Sequence, residues 1–222
     1  MPFIVEIWSD VVCPWCYLGK RRFEAALERF EHRDDVDVAW HSFELDPQAG
    51  PASELPGAER LAAKYGMSVE EARARHRQLE DLADAEGLEY HLDRTRGGNS
   101  FAAHRLHQLA IERGLGDAMM ERLMRAYFTE GEATGDPEVL LRLASEAGLD
   151  PDEARAVLGS DGYADAVRED ERIAHHIGIH GVPFFVLGRR FGVSGAQTAD
   201  VMLQALEKAW SETTDRRLGE PA

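Results

Sequence analysis

Among its 222 residues the chain has only two cysteines, and they stand three positions apart in the run Cys13-Pro14-Trp15-Cys16. Ahead of them, Phe3 to Ser9 is rich in β-branched and aromatic residues, is bounded by Pro2 and Asp10, and predicts a buried strand. Behind them, Leu18, Phe23, Ala26, Leu27 and Phe30 recur at helical spacing over residues 14–31. The pair therefore falls where a strand gives way to a helix. A structural disulfide this local would close a tiny loop and remove little unfolded-state entropy. A tetrahedral zinc site needs four ligands, and the sequence has no second cysteine pair to complete one. Redox chemistry remains, since this spacing beside a β–α unit is a dithiol signal.

The rest of the pattern fits around that junction. Val36 to Leu45 alternates and predicts a second strand stopped by Asp46-Pro47, parallel to the first because the crossover is long. Ser68-Val69-Glu70-Glu71 has the capping-box form and opens a helix that Gly87 closes. Asn99-Ser100 precedes another helix running to Gly114, and residues 116–130 form the next. Asp136-Pro137 and Asp150-Pro151 each join an N-cap residue to a proline at the first helical position. A last helical run, 162–176, ends near Gly178. Val182 to Leu187 then predicts a strand, Gly188-Arg189-Arg190 a turn, and Phe191 to Ser194 its hairpin partner. Residues 198–210 predict a closing amphipathic helix, and the charged tail after Thr213 is expected to fray.

The resulting order is β–α–β, many helices, then β–β–α. It predicts an α/β chain with one mixed four-stranded sheet flanked by helices and a large all-helical insertion between the second and third strands. Residues 1–49 and 177–222 are expected to form the discontinuous sheet domain, and 50–176 the insertion.

Composition narrows the partners. The net charge of −16 repels nucleic-acid phosphates and anionic membranes, so neither is expected as a partner. The acids are spread through helical segments, which is the pattern of a solvated surface. No apolar run approaches the ~18 residues of a membrane span, and the start lacks the form of a signal peptide. A cytoplasmic location is expected, where stable structural disulfides are rare. His175, His176 and His180 invite a metal reading, but Gly178 interrupts their helix and no metal is expected. The oligomeric state is not legible.

Several segments carry a family pattern: Ser9-Asp10-Val11-Val12-Cys13-Pro14-Trp15-Cys16-Tyr17-Leu18-Gly19, Asn99 with Ala103-His104-Arg105-Leu106, Gly181-Val182-Pro183-Phe184-Phe185, and Val193-Ser194-Gly195-Ala196-Gln197. Together they resemble the DsbA-type thioredoxin fold, and within it the cytoplasmic FrnE-like branch. The resemblance implies a thiol–disulfide oxidoreductase, a reductase or isomerase, acting on protein or peptide thiols and disulfides. The redox-active pair would serve in place of a cofactor, with glutathione open as a co-substrate. Kappa-class glutathione transferases and hydroxychromene carboxylate isomerases share this architecture and give an alternative, although they usually carry a single serine or cysteine where this chain has the pair. A non-enzymatic redox sensor is a third reading.

Roles follow for individual residues. Cys13 falls at a helix N-terminus, where unpaired N–H groups and the dipole favour negative charge, so it is expected to be largely thiolate and the nucleophile. By resemblance it is the more exposed of the two. Cys16, one turn later, is expected to resolve the mixed disulfide. Pro14 and Trp15 would tune the pair, Trp15 being open also to ordinary packing. By the resemblance Pro183 forms a cis-proline loop facing the dithiol with Val182 as substrate platform, whereas the residues alone suit a proline starting an edge strand. Alternation points Glu6 inward near the first helix, where related oxidoreductases keep a proton-accepting acid, and a solvated strand glutamate is the other reading. Asp10 would cap the loop or act on Cys13 by its charge. His104 would line the groove or simply pack.

Overall fold

The computed structural model describes residues 3–50 and 52–219. β1 (Phe3–Ser9) and β2 (Val36–Ser42) pair in parallel, and α1 (Pro14–Arg29) is their crossover. β3 (Phe184–Leu187) lies antiparallel against the other edge of β1, and β4 (Phe191–Ser194) antiparallel against β3. The strand order β2-β1-β3-β4 makes the mixed four-stranded sheet that the sequence predicts.

Between β2 and β3 the chain is helical: α2 (Gly57–Tyr65), α3 (Val69–Asp84), α4 (Phe101–Glu112), α5 (Gly116–Arg125), α6 (Pro137–Glu146), α7 (Pro151–Leu158) and α8 (Ala164–His176). α9 (Ala199–Gly219) closes the chain. The predicted caps are in place. Ser68 and Glu71 close a reciprocal capping box. Asp136 accepts from the amides of Glu138 and Val139, and Asp150 from those of Asp152 and Glu153. No described helix is long and apolar enough to cross a membrane.

The strand β1 is covered on both faces. Phe3, Val5 and Ile7 join one continuous core with Phe23, Phe185 and Leu206, and this core runs on into the helical region through Leu106, Leu123 and Leu140. Each such side chain contributes about 2 kcal/mol of apolar burial. Trp8 packs on the opposite face with Phe43, Ala174 and Ile179, and its Nε1–H donates to the Asp170 carbonyl of α8.

Several boundaries differ from the sequence reading. β2 stops at Ser42, the last residue paired with β1, because the Leu45 amide turns away to donate to the Asp10 carboxylate. α2 was not expected as a separate helix: its buried positions are only Gly57, Ala58 and Ala62, its N-cap residue Pro56 offers no capping side chain, and the Ala58 amide donates instead to the distant Asp93 carboxylate at 2.9 Å. Past Arg125, residues Ala126–Glu130 wind as a π-helix, and the Phe128 carbonyl there accepts from the His91 amide. β3 starts at Phe184, leaving Val182 and Pro183 as a loop. The closing helix continues to Gly219, beyond the point where fraying was expected. The last three residues, 220–222, lie outside the described ones.

Candidate active site

Cys13 is the N-cap residue of α1, with Pro14 at the first helical position. Its carbonyl accepts from the Cys16 amide at 3.0 Å and the Tyr17 amide at 3.4 Å, which brings the two cysteines onto one turn. Both thiols are free. The Cys13 thiol donates to the Val182 carbonyl at 3.5 Å, so a loop 169 residues distant in sequence touches the sulfur. The Val182–Pro183 peptide bond is cis. Cys16 Sγ accepts from the Asp10 amide at 3.5 Å. Burial, reinforced by the neighbouring Cys13 sulfur, pushes the Cys16 thiol well above its usual range. Cys13 is 3% exposed and Cys16 2%, so both are buried and almost equally so; Cys13 is the one that lines the adjoining cleft.

Asp10 is fully buried beneath the pair, and its carboxylate joins three segments. It accepts from the Val12 amide at 3.3 Å in the loop before Cys13 and from the Leu45 amide at 2.8 Å past β2, and it stands 3.3 Å from His104 Nε2 on α4. His104 does not line the groove. It is wholly buried because α4 turns this face, with Ala103 and Leu106, into the core. Glu6 is also displaced from its expected place. It alternates with Val5 and Ile7, shares the Trp8 face of the sheet, and lies 3.6 Å from His41 Nε2, on the side away from α1 and the cysteines.

The segments of the family pattern meet around Pro183. Gly19 lets the loop approach α1, since a Cβ there would come within 2.8 Å of Pro183 Cγ. The Gly195 amide, at φ +79, donates to the Pro183 carbonyl at 2.9 Å, and Arg22 Nη1 donates to the Ala196 carbonyl at 2.9 Å. Farther off, Asn99 ties the stretch after β2 to α4 by donating to Glu44 and bonding the Phe101 amide, and Arg105 donates to carbonyls of Val157, Ser160 and Gly162. These last residues of the pattern hold the insertion together and do not touch the sulfurs.

A cleft of about 990 Å³ opens on Cys13. Val12, Cys13, Pro14, Trp15 and Val182 form one wall, and α2, α3 and the π-helical turn supply the other. Trp15 is 44% exposed at the rim, which removes the reading of it as core packing. Tyr90, which the sequence did not single out, bridges the walls: its hydroxyl donates to the Pro14 carbonyl at 2.7 Å, and its ring stacks on Tyr17 and Phe128. No local signal marks Tyr90, because its partner is 76 residues away.

This geometry is that of a dithiol on a thioredoxin-like sheet, with a helical region arched over it. A family model for the DSBA-like thioredoxin domain matches residues 4–207, and the chain belongs to that family, whose members are usually thiol–disulfide oxidoreductases. The crystal structure of a probable DsbA oxidoreductase from Streptomyces coelicolor is similar at 50% identity and a TM-score of 0.91, covering 95% of this chain and 91% of that one. The uncharacterized protein YwbO of Bacillus subtilis (strain 168) is 28% identical over 205 residues, 91% of this chain and 94% of its own length. The cytosolic disulfide reductase DsbM from Pseudomonas aeruginosa, solved with GSH, shares the fold at 20% identity and a TM-score of 0.59, covering 96% of this chain and 99% of that one.

Proposed function

We propose that the chain is a dithiol–disulfide oxidoreductase of the FrnE-like branch, cytoplasmic, in which Cys13 is the nucleophile and Cys16 the resolving thiol. The observation that carries this reading is the Cys13 sulfur at the N-cap of α1, facing the cleft and within 3.5 Å of the Val182 carbonyl, with Cys16 one turn behind. The positive end of the α1 dipole lies at the Cys13 position, where anions are favoured in general.

In the reducing direction, the Cys13 thiolate attacks a substrate disulfide RS–SR′. A Cys13–S–S–R bond forms and R′S⁻ leaves with the electron pair. Cys16 then loses its proton and attacks the Cys13 sulfur, releasing RS⁻. Two electrons pass to the substrate and the pair becomes a disulfide, which an external thiol returns to the dithiol. Burial keeps Cys16 protonated until that second step, which protects the reduced pair from premature closure. No cofactor beyond the pair is needed. Protein or peptide thiols and disulfides are the substrates, Val182 and Pro183 are the platform against which an extended segment docks, and glutathione is a co-substrate. The cytosolic reductase with GSH among the structural neighbours supports the same assignment.

Thiol-dependent reduction of insulin by wild type, Cys13→Ser and Cys16→Ser tests the reading. Wild type reduces insulin, Cys13→Ser does not, and Cys16→Ser accumulates a mixed disulfide on Cys13 visible by mass spectrometry. An inactive wild type that binds glutathione would move the chain to the glutathione-dependent isomerases and transferases.

A further inference from the structure

We infer that the cleft selects low-molecular-weight disulfides and thiols that carry carboxylates, with Lys64 and Arg75 reading that charge. This rests on the proposal that Cys13 is the nucleophile, and it names the substrate class that the pocket beside it favours.

The chain as a whole carries a formal charge of −16, yet the cleft reverses that sign. Arg60, Lys64 and Arg75 line it with His76, against the single carboxylate of Asp46. A low-dielectric cleft lined by one sign of charge concentrates ligands of the opposite sign. The cations differ in availability. Arg60 is committed to the structure, donating to the Leu55 carbonyl at 2.5 Å and to Thr95 Oγ1 at 2.8 Å. His76 sits 3.2 Å from Asp93. Lys64 keeps only a loose partner, Asp46 at 3.7 Å, with both side chains about half exposed. Arg75 is exposed and makes no short hydrogen bond or ion pair among the described residues, its charged neighbour being Glu71 one turn back on α3. Lys64 on α2 and Arg75 on α3 are therefore the cations of the cleft least committed to other partners.

The remaining lining argues for a small, partly apolar ligand. Trp15, Leu45, Tyr65 and Leu82 are exposed large apolar side chains, and all four lie in the cleft. Its volume of about 990 Å³ is in the range that encloses a small molecule. Cys13, only 3% exposed, is met from inside that space, so a slender disulfide reaches the sulfur more readily than one held in a folded protein surface.

The test uses the pre-reduced full chain in single turnover with three small symmetric disulfides: dithiodipropionate (anionic), hydroxyethyl disulfide (neutral) and cystamine (cationic). Each rate is divided by that of free dithiothreitol with the same disulfide, which removes intrinsic reactivity. The anionic disulfide is expected to react about tenfold faster than the cationic one. High salt should shrink that ratio, and so should the double variant Lys64→Glu with Arg75→Glu, whose fold is checked by circular dichroism and thermal melting. Equal normalised rates for the three disulfides in wild type, or a ratio the folded double variant leaves unchanged, would overturn the inference while leaving Cys13 as nucleophile. A charge preference confined to a disulfide-linked acidic peptide would overturn it as well. Failure of all three disulfides to react beyond the Cys13→Ser level would instead bring down the reading of Cys13.

Discussion

The two walls of the cleft are built in opposite ways. The near wall is mostly a stretch of consecutive residues, Val12 to Trp15, joined by Val182 and clamped from behind by Gly19, Pro183 and Gly195. The far wall is gathered from α2, α3 and the π-helical turn, and it meets the near wall through contacts such as Tyr90 to Pro14. On the proposed reading the near wall would carry the chemistry and the far wall the selection of substrate.

The largest contrast is expected at the sulfur itself. Cys13→Ser should bring disulfide reduction down to the background of the external thiol, whereas changes on the far wall should alter which disulfide is reduced. A far-wall substitution that abolished turnover of every disulfide would break the division.

Acid tests how firmly α4 holds the insertion behind both walls. Burial lowers the His107 pKa from the usual 6.5 to about 3, and its Nε2–H donates to the Gly116 carbonyl at 3.0 Å. Because the folded pKa is the depressed one, the unfolded chain binds more protons between the two values. Stability is therefore fully present above pH 6.5 and falls as pH drops toward 3, by on the order of several kcal/mol for this group. Urea denaturation across that range should show the slope, and His107→Leu should flatten it while costing stability at neutral pH.

Gly19→Ala probes the clamp of the near wall. The added Cβ would sit 2.8 Å from Pro183 Cγ, so the loop must shift, at a cost of about 1–3 kcal/mol in denaturant titrations and with reduced turnover. Loss of stability with undiminished turnover would show that the Pro183 loop need not be held closely. The smallest effect belongs to Tyr90→Phe, which removes the bond to the Pro14 carbonyl and should cost about 1 kcal/mol. It should affect rates at Cys13 more than the ratio between charged disulfides, because Tyr90 bridges to the near wall.

The same contrast governs what could be read from the sequence. β1, the crossover, the capped starts of α3, α6 and α7, and the β3–β4 hairpin announce themselves through residues a few positions apart. The cysteine pair did so too, and the resemblance supplied Val182 and Pro183. Lys64, Arg75 and Tyr90 acquire their places only when helices distant in sequence fold over the dithiol, so no local pattern marks them. Glu6 is an instructive failure. Alternation separates Val5 and Ile7 from Glu6, but both faces of β1 are covered, and apolar Ile4 and Trp8 on the Glu6 side hide which face meets α1. The acid that does lie beneath the cysteines is Asp10, in the loop after the strand.

The packing of α2 gives the cleft an uneven mechanical character. Ala58, Ala62 and Ala72 form a small cluster of their own, apart from the core that surrounds the cysteines. With Leu61, Met67 and Val69 only partly buried against them, these three alanines withdraw less apolar surface than the main core does, so α2 and the start of α3 are expected to require less free energy to open than α1 or α4. Amide exchange should therefore be fastest on that side. The entrance would then widen by local loosening of the far wall while the dithiol and the Pro183 loop stay in register.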